Sequence, residues 1–251
     1  MARFAFSDLH GQYDLWKQIK EYLKPNDVAY CLGDCVDRGD AGLKILNEVI
    51  SHPNIILLRG NHEDFINSIG SYDYNLYEKE GYMTSKMYLW YSNEAEKTIE
   101  DFGILTEEKR AWLIHQIRNL PTHAEYINSN GDIIYLCHAG RNPDTEEIQD
   151  TKEGMIPTNN YIWDRNHIYD SKWFGKDNEY CVHGHTPVKY LYYYLNQKEE
   201  FPNNRFEIFK YCEGHKIDID LSSFDTHRAC LLNLDTFEPI YFKDRTISEE
   251  E

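Results

Sequence analysis

The chain opens on short apolar runs, each ending in polar residues. Arg3-Phe4-Ala5-Phe6 reads as a short buried strand running into Ser7-Asp8-Leu9-His10-Gly11. Leu15, Trp16, Ile19, Tyr22 and Leu23 then recur at helical spacing, and Pro25 just beyond stops the helix. A second strand, Asp27 to Leu32, ends in Gly33-Asp34, and Leu43, Leu46, Val49 and Ile50 mark a second helix. A third strand, Asn54 to Leu58, ends at Gly60-Asn61-His62-Glu63. This β-α-β-α-β order predicts a parallel sheet with right-handed crossovers. Ligands of open α/β sheets bind beyond the carboxyl ends of the strands, so the polar residues there should converge at one edge.

From residue 64 to residue 130 the pattern becomes mostly helical and rich in tyrosine. Thr106 to Arg118 reads as a helix, with Glu107 and Glu108 suited to its positive N-terminal end. Strands are expected again at Asp132 to Cys137, Glu179 to His183 and Arg228 to Leu234. No repeat or linker divides the chain, so residues 1–247 read as one α/β catalytic domain with a helical insertion at 64–130. Residues 248–251 read as a frayed acidic tail. A chain of 251 residues buries roughly 70% of its unfolded surface, enough to dispense with disulfides.

Charge narrows the functions. With 26 basic and 43 acidic residues the chain carries −17, and no basic stripe appears, which argues against stable nucleic-acid binding. Two divalent cations would still make an acidic chain locally positive. The six cysteines (Cys31, Cys35, Cys137, Cys181, Cys212, Cys230) form no C-x-x-C pair and predict a reducing, cytoplasmic setting. No signal-like segment opens the chain, and no apolar run approaches the ~20 residues of a membrane span.

Five polar clusters stand out: SDLHG, GDCVDRG, GNHE, CHAG and HGHTP. Their mixed carboxylate, imidazole and amide donors suit Mn²⁺, Fe or Zn²⁺ in an open hydrolytic site rather than a Cys-rich structural zinc. This ordered set, from Ser7 to Pro187, resembles the phosphoprotein phosphatases of the calcineurin-like metallophosphoesterase superfamily, closest to the bacterial and bacteriophage-lambda type. Ile162-Trp163-Asp164-Arg165 resembles the Trp-x-Arg segment of that subgroup.

The resemblance implies an α/β/β/α sandwich of two mixed sheets and two divalent metal ions, with Mn²⁺ expected and Fe or Zn as alternatives. It implies that Asp8 and His10 hold one metal, that Asp34 bridges both, and that Asn61, His138 and His185 complete the second. His62 would be the general acid oriented by Asp37, while Arg38, Arg165 and Asn61 would bind phosphate. A bridging carboxylate, a carboxylate-held imidazole and bidentate guanidinium groups are what such hydrolysis needs.

His183 and His185 lie two apart near a strand end, and the family pattern selects His185, leaving His183 as a packed or hydrogen-bonded histidine. Arg141 is either a substrate contact or a surface arginine. Cys35 is a small filler or an oxidation-sensitive thiol beside the metals. His115, His123, His167, His215 and His227 are expected to be exposed or satisfied. The tyrosine stretches at 72–91 and 190–194 either pack the insertion or line a substrate groove, and residues 191–216 have no assigned role.

The expected activity is hydrolysis of phosphoserine and phosphothreonine in proteins or peptides, with phosphotyrosine and small aryl phosphates as further substrates. Asp37-Arg38-Gly39, GNHE and IWDR favour it over the alternative, symmetrical diadenosine tetraphosphate hydrolysis. A third reading is 2′,3′-phosphoesterase action on nucleic-acid ends. A catalytically dead scaffold is a different class, disfavoured because every expected residue is present.

Overall fold

The computed structural model describes residues 1–70, 72–141, 160–169, 173, 175–196 and 206–247. The expected tail at 248–251 lies outside them, as do residues 197–205 of the unassigned segment.

The first half alternates as the periodicity predicts: β1 (Arg3–Phe6), α1 (Tyr13–Tyr22), β2 (Val28–Cys31), α2 (Gly42–Ser51) and β3 (Ile55–Leu57). A run of helices follows: α3 (Asn61–Ile69), α4 (Tyr72–Glu80), α5 (Ser85–Tyr91), α6 (Glu96–Ile104) and α7 (Glu107–Arg118). Then come β4 (His123–Ile127), β5 (Ile133–Cys137), α8 (Asn160–Trp163), α9 (Asn166–Tyr169) and β6 (Glu179–His183). The chain continues with α10 (Val188–Asn196), β7 (Phe209–Tyr211), β8 (Lys216–Asp218), α11 (Ser223–Thr226), β9 (Arg228–Asn233) and β10 (Pro239–Lys243).

Two five-stranded mixed sheets result, ordered β10-β9-β1-β2-β3 and β4-β5-β6-β8-β7. β1, β2 and β3 are parallel neighbours, as expected from their order along the chain. Successive strand side chains face opposite ways. Phe4 and Phe6 therefore join Leu15, Trp16, Ile19, Leu46 and Val49 under the helices, in a cluster that extends to Trp90 and Phe102 of the helical run. Ala5 faces the other way and meets Leu32, Ile134, Leu136, Val182, Ile217 and Leu232, so this second core lies between the sheets. Each of these large apolar side chains contributes about 1.5–3 kcal/mol on burial.

The segment expected to be mostly helical ends in a strand. β4 pairs antiparallel with β5 at the sheet edge, and its alternating half-buried and exposed residues give no helical stripe. Thr106 caps α7, its hydroxyl accepting from the Lys109 amide at 3.3 Å, with Glu107 and Glu108 in the first turn. Among the described residues, no helix is long and apolar enough to cross a membrane.

Candidate active site

The loops that follow β1, β2, β3, β5 and β6 meet at one edge and are stitched together by main-chain bonds. The amide of Asp8 donates to Gly33 O at 3.1 Å, that of His10 to Asp34 O at 3.0 Å, and that of Gly184 to His138 O at 2.8 Å. Asp8, His10, Asp34, Asp37, Arg38 and His185 all have φ between 40° and 70°. Such left-handed backbone costs non-glycine residues energy and gathers at functional sites, where surrounding packing enforces it.

Asp34 is the hub. It is buried, and its Oδ2 lies 3.6 Å from His10 Nε2, 3.8 Å from His62 Nε2 and 3.3 Å from His138 Nε2. Among the described residues, two groups have donor atoms close enough to share a cation: His10, Asp34 and His62, and Asp34, His138 and His185. Asp34 belongs to both. Asn61 joins the second group, its Oδ1 lying 2.9 Å from His138 Nε2 and 2.8 Å from His185 Nδ1. Asp8 stands beside the groups, its carboxylate accepting from the His185 amide at 3.2 Å.

Hydrogen bonds prepare these imidazoles. His10 Nδ1–H donates to Val36 O at 2.9 Å, which leaves the Nε2 lone pair facing Asp34. His138 Nδ1–H donates to Leu32 O at 3.0 Å and likewise commits Nε2 to the centre. A second hydrogen bond that fixes the tautomer is what metal-binding histidines carry. Burial pulls His10 and His185 well below the usual histidine range and keeps them neutral, while positive neighbours (Arg38 for His10, His138 for His185) add to the effect.

Charge balance tests whether cations fit. Burial, reinforced by Asp220, raises Asp8 well above the usual carboxylate range, and burial likewise raises Asp218, again next to Asp220. Burial pushes Asp220 to about 6 and, with repulsion from Asp34, Glu63 to about 7. Asp34 is held low: burial raises it, but His138 and His62 outweigh that. His138 is driven the other way, to about 9, because Asp34 overcomes the effect of its burial. Crowded acids that repel one another, together with His185 Nε2 buried without a hydrogen-bond partner, fit divalent cations.

A second feature lies over the hub. His62 Nδ1–H donates to Asp37 Oδ2 at 2.7 Å, so the carboxylate fixes the ring and turns Nε2 toward Asp34. Glu63 sits one residue on and is fully buried. Its Oε2 accepts from the amides of Asp34 (2.8 Å) and Gly60 (3.1 Å), and its Oε1 from Cys35 (2.8 Å), which clamps the loops after β2 and β3 together. Sequence reasoning left Glu63 without a role, although a glutamate at the third position of a helix is a known capping signal. It also missed Asp218 and Asp220, whose spacing of two at the end of β8 places both on one face.

Arg38 and Arg165 line a cleft of about 410 Å³ with His185, Thr186, Tyr169, Tyr190 and Tyr194. Trp163 anchors this wall: its indole donates to Asp64 at 3.3 Å and its ring meets Phe65 edge-on at 5.2 Å. Arg165 follows, donating to Thr186 Oγ1 at 3.3 Å. Both expectations for the tyrosines hold in part. Tyr74 packs into the core against Phe102, whereas Tyr190 and Tyr194 are exposed along the cleft.

The remaining candidates sort by burial. His183 is hydrogen-bonded, accepting from the Tyr211 hydroxyl at 2.8 Å, and burial holds it at about 3. Arg141 lies over Tyr135 at 3.8 Å, beside a separate small pocket with His123 and Tyr161. His167 departs from expectation: it is buried, and among the described residues neither ring nitrogen has a geometrically formed hydrogen bond, the ring being wedged against Gly140 and His183. Among the described residues no disulfide joins any of the six cysteines, and Cys35 is buried 3.7 Å from Cys31.

A sandwich that gathers buried carboxylates and imidazoles at its strand ends, with arginines at the opening, defines a metal-dependent hydrolase of phosphate esters. The chain belongs to the calcineurin-like phosphoesterases, whose family model matches residues 3–219. Members use divalent metals, in keeping with the donor groups around Asp34. Among solved structures, the chain is similar to a protein provisionally described as a diadenosine tetraphosphatase, at 14% identity and a TM-score of 0.54, covering 96% of this chain and 92% of that one. A serine/threonine phosphatase from Saccharomyces cerevisiae matches at 12% identity and 0.54, over 99% and 82% of the two chains. A cold-active protein tyrosine phosphatase from a Shewanella species matches at 15% identity and 0.53, over 96% and 77%. At these identities the likeness speaks for the fold alone.

Proposed function

We propose that this phosphoesterase is a protein phosphatase acting on phosphoserine and phosphothreonine, of the bacterial and bacteriophage-lambda type. The observation that carries the reading is a carboxylate-held imidazole, His62 on Asp37 at 2.7 Å, facing a shared buried carboxylate beneath a cleft that bears two arginines. Asp8 and His10 would hold one divalent metal, Asn61, His138 and His185 the other, and Asp34 both; when bound, the pair supplies charge neutralisation and an activated water at neutral pH.

The chain's own groups do the rest. Arg38 and Arg165 bind phosphate oxygens through their planar forks, helped by Asn61. A water oxygen bonds to phosphorus as the P–O bond to the substrate alcohol breaks, its electron pair passing to the leaving oxygen, and His62 Nε2 delivers a proton there. Asp37, accepting from Nδ1–H, orients the ring and favours the doubly protonated imidazolium, whose Nε2–H is the proton delivered. His62→Asn should therefore keep its metals and lose roughly two to four orders of magnitude in kcat. An unchanged kcat would remove His62 from the mechanism.

The open cleft with exposed Tyr190 and Tyr194 accommodates a peptide, while its small number of basic groups suits one phosphate better than a polyphosphate chain. The same rings favour a second reading, because tyrosine also stacks on adenine in a dinucleoside polyphosphate. Comparing kcat/KM on a phosphothreonine peptide and on diadenosine tetraphosphate, with Mn²⁺ present, separates the two. A clear peptide preference supports the phosphatase; a dinucleotide preference with two ADP as products overturns it. Mn²⁺ is expected to support activity best, and full activity in chelator-stripped protein would sink the metal requirement.

A further inference from the structure

The helical run contributes more than packing. Trp90, on α5, is fully buried, and its indole Nε1–H spans both oxygens of Asp37, at 3.1 Å from Oδ2 and 3.3 Å from Oδ1. Thr98, on α6, accepts from the Asp37 amide at 2.9 Å, and Glu94 O accepts from the Arg38 amide at 2.7 Å. The turn that carries Asp37 and Arg38 is thus tied at three points to residues 90–98. Asp37 is itself fully buried, and among the described residues its ion-pair partner is His62. A buried carboxylate needs donors, and with the imidazole committed to Oδ2 the indole supplies the second.

We propose that Trp90 is a positioning residue for the proton donor: its N–H sets the plane of the Asp37 carboxylate so that His62 presents Nε2–H to the leaving oxygen. The inference rests on His62 acting as general acid. Without the indole N–H, Asp37 is free to rotate and the imidazole loses its single orientation, although His62, the metal donors and both arginines remain. The effect should fall on proton delivery. A substrate whose leaving group is a poor anion needs that proton, whereas p-nitrophenolate departs without it.

Trp90→Phe, which keeps an aromatic ring and deletes the N–H, tests this on the full chain with Mn²⁺. The kcat for a phosphothreonine peptide should fall about tenfold, the effect of losing one buried hydrogen bond to a charged group. The kcat for p-nitrophenyl phosphate should stay within about twofold, since general-acid catalysis contributes little there. In an Asp37→Asn background Trp90→Phe should add nothing further, because the two act through one interaction. Equal losses on both substrates, or no loss on the peptide, would overturn the role. If Trp90→Phe fails to fold, benzothienylalanine at position 90, which keeps the indole's shape without its N–H, must give the same split. A wild-type protein that hydrolyses neither substrate overturns the phosphatase reading itself; an active wild type with a substrate-blind Trp90→Phe overturns only the role of Trp90.

Discussion

Gly60→Ala probes the space around Asp34 and Glu63. Gly60 has φ −87° and ψ 173°, a backbone that alanine adopts freely. By conformational entropy alone the substitution would stabilise the protein by about 0.4–1 kcal/mol. The site predicts the opposite. A methyl at Gly60 would lie 2.6 Å from the Asp34 amide nitrogen and 2.8 Å from Glu63 Oε2, and it would overlap Asp34 Oδ1. Ordinary contact is ~3.5 Å, so the carboxylate and its loop must retreat by about 1 Å. Overpacking of this kind costs about 1–3 kcal/mol, which exceeds the entropic gain. Asp34 serves both donor groups, so its displacement weakens both. A misplacement of about 1 Å at a reacting centre costs on the order of a hundredfold in rate. Isothermal titration with Mn²⁺, phosphatase kinetics and urea unfolding together should show weaker metal binding, kcat lower by roughly two orders of magnitude and reduced stability. A variant that is more stable than wild type and equally active would refute the argument that Asp34 is held by close packing.

Arg165→Ala should lower kcat/KM by about tenfold without changing metal content, and Arg165→Lys should recover it only in part, because an ammonium lacks the planar fork; unchanged kinetics for Arg165→Ala would place the arginine outside the site. Glu48 gives a test of acid stability away from the centre. Burial pushes its carboxyl up, but hydrogen bonds from Lys20 (2.6 Å), Trp16 (2.8 Å) and Tyr13 (2.8 Å) outweigh that and hold it at about 2. A depressed carboxyl stabilises the fold above its ordinary value near 4.5, and that contribution fades as pH falls toward 2. Glu48→Gln should therefore lose about 1 kcal/mol at pH 7 in thermal or urea unfolding, with the gap to wild type closing by pH 2; a gap independent of pH would show that the three hydrogen bonds do not depend on the charge.

Much of this molecule is local and therefore written in the chain. Alternation of apolar runs and helical stripes placed β1, α1, β2, α2 and β3, and strand-end ligand binding predicted that Asp8, His10, Asp34, Asn61 and His62 would meet. The resemblance of CHAG and GHTP to the family's motifs marked His138 and His185 as well. β4, β7 and β10 escaped, since edge strands with exposed alternate residues carry weak apolar signals, and β8 escaped because its three residues, Lys216-Ile217-Asp218, form no apolar run. The partners that tune the site escaped for a different reason. Trp90 reads as one more aromatic residue, yet it reaches Asp37 across 53 positions of sequence. Asp220 reads as a polar residue in a loop, yet its charge bears on Asp8. Glu63 reads as a helix-start residue, yet it binds three amides from two loops. The sequence by itself determined which donors exist and near which strand ends they stand, because hydrophobic period and glycine placement act over a few residues. Only the tertiary structure decided which carboxylate is shared, which imidazole is held by Asp37 and what holds Asp37 in turn, because those depend on distances between segments that no local period encodes.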